Sequence, residues 1–381
     1  MAKTEEKNIE VEKVKIPFDF TQIFPGCSAT LPVQRIFKII QRHSAGKNQA
    51  TILIKNLNYE DEYCKDEIEA FSTAKEEYHW DNIEKEQLPE KAVRIDFFSV
   101  AGDFDISKFK KSDLENENYL GFCVLIPQYY NPTTFRAAQA IVKILPNMEK
   151  HLICKEFSVE VTLKTQDNNL TKKKFIIKAF PFQEQNDFFL SCAHVALSAC
   201  RWFTKTDSGP IKHSEFKNFA KNSSQFTKMP SLYRKRNRGL NGRQILEVAR
   251  KFSNPLSYSA ETKPLFKNLT RLIYRYIGTR IPILMVFDTE KVMHCVVIIG
   301  YIENDDLGWA LLRKYYFNRS LTLPPYLSPN SDHEIDWVSH FIIQDNNFGP
   351  YLLFPYHKLE WLIKQDNAWF LTLFPNNVND M

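Results

Sequence analysis

Three segments put a cysteine, a histidine and a carboxylate in an order that suits thiol chemistry. They are QEQNDFFLSCAHVALSAC (residues 183–200), VMHCVVIIGY (292–301) and HFIIQDNNFGPY (340–351). The thiolate is the nucleophile, and a helix N-terminus or a nearby imidazole favours it over the thiol. Cys192 stands near the start of a small-residue stretch that reads as a helix over residues 191–205. His294 opens an apolar strand pattern, so its imidazole can face a cleft at a sheet rim while the following residues are buried. Asp345 ends the run FIIQD, where a carboxylate on a neighbouring strand end can orient an imidazole and select its tautomer. Asn346 is the alternative orienter. Each residue also has a plain structural reading: a buried cysteine, a rim histidine, and an aspartate that initiates a turn.

A tetrahedral intermediate needs hydrogen-bond donors for its oxyanion. A glutamine amide shortly before the nucleophile can supply one beside the Cys192 backbone N–H. Gln185 is the first choice and Gln183 the second. Cys192, His194, Cys200, His294 and Cys295 include metal-ligand types, but the chain has no C-x-x-C pair. Positions i and i+2 of a helix point to different faces. No metal and no cofactor is therefore expected. The densest basic run is SLYRKRNRG (231–239), read as a solvated loop or as a loop beside the cleft that meets acidic substrate or nucleic acid. No aromatic-interleaved RNA motif accompanies it, so nucleic acid is not the expected partner. Trp309, Trp337 and Trp361 fit either core or cleft wall.

The elements that must position these residues are legible in outline. An apolar fraction of 44% over 381 residues supports a substantial core, and the length is enough for two domains of ordinary size. Thirty Phe and sixteen Tyr point to β-rich, aromatic-filled packing. The net charge of +5 is mild. Seven dispersed cysteines fit reduced thiols in the cytoplasm. The charged N-terminus has no hydrophobic signal core, and no apolar stretch is long enough to span a membrane. Residues 1–15 read as a flexible, solvated tail and residues 16–180 as an α+β accessory domain for recognition or partner binding. Within it, Val33, Ile36, Phe37 and Ile40 have helical spacing, residues 60–88 read as one or two acidic helices, and residues 135–145 fit helix or strand equally. Runs 154–164 and 172–182 form a hairpin between the halves. Residues 181–381 place helices first (191–205, 239–252, 264–279) and antiparallel strands second, ending in HFIIQD, YLLFP and WFLTLF.

The order Gln, Cys on a helix, His on a strand, then Asp resembles the papain-like cysteine peptidase superfamily. HCVVIIGY followed by IIQDNNFGPY is similar in form to the bacterial double-glycine leader peptidases and their relatives. FPFQEQNDFFLSCAHVAL, MPSLYRKRNRGLNGRQILEVA and IPILMVFDTEKVMHCVVIIGY also resemble bacterial papain-like proteins of undefined function, and NYLGFCVLIPQ extends that likeness toward the N-terminus. The chain departs from the pattern in three ways. Ala193-His194 follows the cysteine, Gln185 lies one position further from Cys192 than papain's spacing gives, and Cys192 and His294 are only 294 − 192 = 102 residues apart. The resemblance implies an α+β catalytic domain over residues 181–381, with the Cys192 helix packed on an antiparallel sheet. It implies a thiol hydrolase, a peptidase or isopeptidase, acting on a protein or peptide substrate. In that scheme Cys192 is the nucleophile, His294 the base and then the acid, Asp345 its orienter, and Gln185 the oxyanion donor. Related acyl chemistry (deamidation, transglutaminase-like transfer) and a catalytically silent protein-binding module are the alternatives.

Overall fold

The computed structural model describes residues 9–45, 49–67, 92–105, 114–128, 131–145, 148, 151–164, 170–185, 192–205, 209–212, 214–216, 240, 242–259, 266–288, 293–303, 338–364 and 368–375. The basic run 231–239, Trp309, Trp337 and most of the expected acidic helices at 60–88 lie outside the described residues. The architecture is α+β. A first six-stranded sheet has the order β1–β3–β4–β5–β6–β2, built from β1 (Ile9–Lys15), β2 (Ser28–Ala29), β3 (Gln49–Tyr59), β4 (Ala92–Ala101), β5 (Tyr119–Pro127) and β6 (Thr134–Val142). Its pairings are antiparallel except for the short parallel contact of β2 with β6. The hairpin β7 (Lys155–Lys164) and β8 (Leu170–Ala179) packs against it. A second six-stranded sheet, antiparallel throughout, has the order β13–β12–β11–β10–β14–β9. Its strands are β9 (Ser253–Ser259), β10 (Ile283–Asp288), β11 (Met293–Glu303), β12 (Val338–Asp345), β13 (Gly349–Pro355) and β14 (Ala368–Pro375). Helices among the described residues include α1 (Phe20–Ile23), α2 (Leu31–His43), α3 (Cys192–Thr204), α4 (Gly242–Ala249), α5 (Phe266–Gly278) and α6 (Tyr356–Lys364). None of the described helices is long and apolar enough to cross a membrane.

The burial of each strand follows from what covers its faces. β5 is buried along nearly its whole length because its two faces feed different cores. Leu120, Cys123 and Leu125 join α2 and the second sheet, while Phe122, Val124 and Ile126 meet the β7–β8 hairpin. β7 alternates buried and exposed residues, as a strand with one solvated face must. Of residues 135–145, equally suited to helix and strand, 135–142 belong to β6. The buried Ala137, Ala138 and Ala140 leave room for neighbours to approach its backbone closely. One correction concerns the N-terminus. Residues 9–15, expected within a solvated tail, pair with β3 from Ile9↔Asn56 to Lys15↔Ala50. The buried Ile9 and Val14 anchor the strand, and Lys13 Nζ reaches the Gly102 and Phe104 carbonyls at 2.6 Å.

The first core runs from α2 and the first sheet into α3 and the second sheet without interruption. Amphipathic α2 contacts both β6 and β13. Its N-cap residue Thr30 makes no side-chain capping bond; its hydroxyl donates to Glu184 Oε2 at 2.8 Å. Past the hairpin the chain runs beside β6: Phe182 pairs with Ala140, and the Glu184 carboxylate accepts the Ala137 N–H at 2.8 Å. Residues 151–153 lie against β11 at a bulge, where Ile153 N–H donates to the Ile299 carbonyl at 2.7 Å. A Cβ on Gly300 would come within 2.8 Å of the His151 carbonyl oxygen, so this approach needs glycine. Buried Tyr351 completes the seam, its hydroxyl donating to the Val142 carbonyl (2.9 Å) and accepting from the Phe180 N–H (3.1 Å). Replacing it with phenylalanine leaves two buried backbone groups short of a partner. Tyr351→Phe should therefore lower stability in urea by about 1–3 kcal/mol, and an unchanged unfolding midpoint would show that the hydroxyl does not tie the sheets together.

Candidate active site

Cys192 is the first residue of α3, and it is half-buried while the residues after it, from Ala193 to Cys200, are buried. Small side chains at Ala193, Ala196 and Ala199 let the helix lie close on β11, the strand that carries His294. The packing brings the start of one element beside the start of the other. His294 pairs with Phe287 of β10, and the Phe287 ring meets the imidazole edge-on at 5.5 Å between centroids.

Asp345 comes from the far end of β12. The last pairing between β11 and β12 on this side is Val297↔Gln344, after which β12 turns toward β13. That exit sets the buried Asp345 carboxylate against the imidazole, with Oδ2 3.1 Å from His294 Nε2. The other oxygen accepts the Asn347 N–H at 2.9 Å, and the Asp345 carbonyl accepts the Phe348 N–H at 3.2 Å. The carboxylate is thus oriented by its own turn. Gly349 closes that turn at a φ of 113°, where a side chain would be strained, and a Cβ there would lie 2.8 Å from the Arg35 side chain. Arg35 of α2 in turn donates to the Pro350 and Tyr351 carbonyls.

The three residues expected to act together are brought together. The Cys192 side chain is the second group close enough to His294 to favour a proton on the ring. With Nε2 facing Asp345, Nδ1 is the ring nitrogen left for the thiol. Burial opposes a charge on His294, but the hydrogen bonds and negative charge of Asp345 and Cys192 outweigh it and raise its pKa from 6.5 to about 9. Cys200 and Cys295 are fully buried, and burial pushes both thiols up. They remain thiols packed in the core. His194 is buried on α3 with its ring edge-on to Phe216, which is a packing role.

Two glutamines are candidate oxyanion donors. Gln183 is buried beside β6, and its amide nitrogen lies 3.4 Å from the Ala138 carbonyl oxygen. Gln185 is half-buried one residue beyond Glu184, whose carboxylate fixes the segment to β6 and Thr30. Asn346 does not orient the imidazole; its amide donates to the Cys192 carbonyl at 3.0 Å. The sequence signalled a polar turn here but gave no indication of that target. Phe348 stands exposed on the same turn, and Trp361 is exposed on α6.

The raised pKa has a consequence for stability. The folded state holds the His294 proton more tightly than the unfolded chain, so the resulting stability is complete below pH 6.5 and is lost as pH rises through about 9. Asp345→Asn removes the charge that contributes most to holding the proton. Urea unfolding across this window should show a stability decline in the wild type that is much flatter in the variant; parallel curves would show that Asp345 does not hold the charge. No protein-family model, no curated protein and no solved structure matches the chain, and the site rests on its own geometry.

Proposed function

We propose that this chain is a thiol hydrolase of the papain-like type, cleaving a peptide or isopeptide bond in a protein or peptide substrate. The observation that carries the reading is one imidazole held between a buried carboxylate at 3.1 Å and a half-buried cysteine at the start of a helix. The packing of the Cys192 helix on an antiparallel sheet also fits the expected domain architecture.

In the proposed reaction Cys192 Sγ attacks the substrate carbonyl carbon while its proton resides on His294. The carbonyl oxygen becomes an oxyanion held by the Cys192 backbone N–H and the Gln185 amide. As the C–N bond breaks, His294 gives its proton to the departing amine, leaving a thioester on Cys192. Water then attacks the thioester carbonyl, losing a proton to His294. The C–S bond breaks, the acid product leaves, and the cysteine–histidine pair is restored. Asp345 keeps Nε2 hydrogen-bonded throughout, so Nδ1 stays directed at the reacting atoms.

Profiling against a diverse peptide library tests the reading. The wild type should cleave a defined subset that Cys192→Ala leaves intact. His294→Ala should lower kcat/KM on those peptides by roughly 10²–10⁴-fold, and Gln185→Ala should lower kcat by about 10²–10³-fold. Cleavage by Cys192→Ala at the wild-type rate would exclude the mechanism.

A further inference from the structure

We infer that Asn346 is a positioning residue: its side-chain amide ties the Cys192 end of α3 to the turn carrying Asp345 and so fixes the nucleophile against His294. Nδ2 donates to the Cys192 carbonyl at 3.0 Å, a contact between residues 154 positions apart in sequence. The neighbouring Asp345 holds His294 Nε2 at 3.1 Å. Two consecutive residues of one turn therefore contact both reacting residues, Asp345 at the His294 ring and Asn346 at the Cys192 backbone carbonyl. The turn is a rigid platform for this, since Asp345 accepts both the Asn347 and Phe348 N–H groups and Arg35 holds the carbonyls that follow.

The bond is not needed to build the helix. A helix's first carbonyl accepts from the N–H four residues on, and the carbonyl has a second lone pair. Asn346 adds a contact from outside α3, so what it supplies is placement. Its environment supports this. Asn346 is only 4% exposed, and its Oδ1 is buried with no hydrogen-bond partner among the described residues. A half-satisfied buried amide is unfavourable relative to an apolar side chain of similar size. The Cys192 bond is the interaction that accounts for an amide here.

The consequence for rate rests on the thiol-hydrolase reading, but the positioning itself has a separate readout. The groups that act on the His294 charge are Asp345 and Cys192. If Asn346 keeps Cys192 in contact with the ring, Asn346→Ala should lower the His294 pKa toward that of Cys192→Ala, measured by NMR titration of the isotopically labelled imidazole. In peptide cleavage the same variant should lower kcat on the order of 100-fold with KM nearly unchanged. Asn346→Asp keeps the side-chain shape but presents a carboxylate to the Cys192 carbonyl. Its activity relative to wild type at the same pH should be low at neutral pH and recover as the introduced acid regains a proton to donate. A His294 titration in Asn346→Ala that matches the wild type overturns the positioning role. Should Asn346→Ala not fold, wild-type kcat in Asn346→Asp at neutral pH overturns it instead. If the wild type cleaves no peptide while the titration moves as expected, the hydrolase reading fails and the positioning role stands.

Discussion

A partly buried imidazole holds a proton well only where hydrogen-bond partners face it, and the surroundings of His294 supply them from two sides. Asp345 meets Nε2, and Cys192 supplies the other partner. Remove either and the ring's burial disfavours its proton. The reactive character proposed for Cys192 depends on that proton, because a thiol can ionise at low cost only where the proton has a stable destination. The same constraint explains why Asp345 is buried and doubly hydrogen-bonded: a mobile, hydrated carboxylate would be screened and would orient the ring weakly.

The rest of the fold keeps three element ends in register. Strand β11 presents His294, β12 leaves the ladder in time to present Asp345, and α3 starts with Cys192 beside them. The first half of the chain contributes directly to this arrangement. Arg35 of α2 holds the backbone after the Asp345 turn, Thr30 and β6 hold Glu184 before α3, and Tyr351 joins β13 to the strands of the other half. A continuous core runs behind all of these contacts.

Much of this was legible in the sequence because it is local. The spacing of Val33, Ile36, Phe37 and Ile40 gave α2, and the apolar runs gave β10, β11 and β12 with His294 and Asp345 at their ends. What stayed hidden has physical causes. β1 is rich in Lys and Glu, and only its pairing with β3 makes it a strand. β9 contains Pro255, which an edge strand tolerates and a sequence pattern penalises. β6 is alanine-rich, so only its neighbours decide between strand and helix. The helix after β13, α6, was not anticipated, because YLLFP and WFLTLF on either side of it both read as strands. At the site, the use of Asn346 on the Cys192 carbonyl depends on which way its side chain leaves the turn. Spacing carries no information about that direction.

The central claim is that His294, held by Asp345, makes Cys192 a nucleophile. The most direct measurement is the rate at which iodoacetamide alkylates each cysteine at neutral pH, read by mass spectrometry with the partly exposed Cys27 and Cys154 as internal references. Cys192 should react faster than either reference in the wild type, and His294→Ala should remove that lead. If Cys192 reacts no faster than Cys27 and Cys154, or keeps its lead without the imidazole, the account is contradicted.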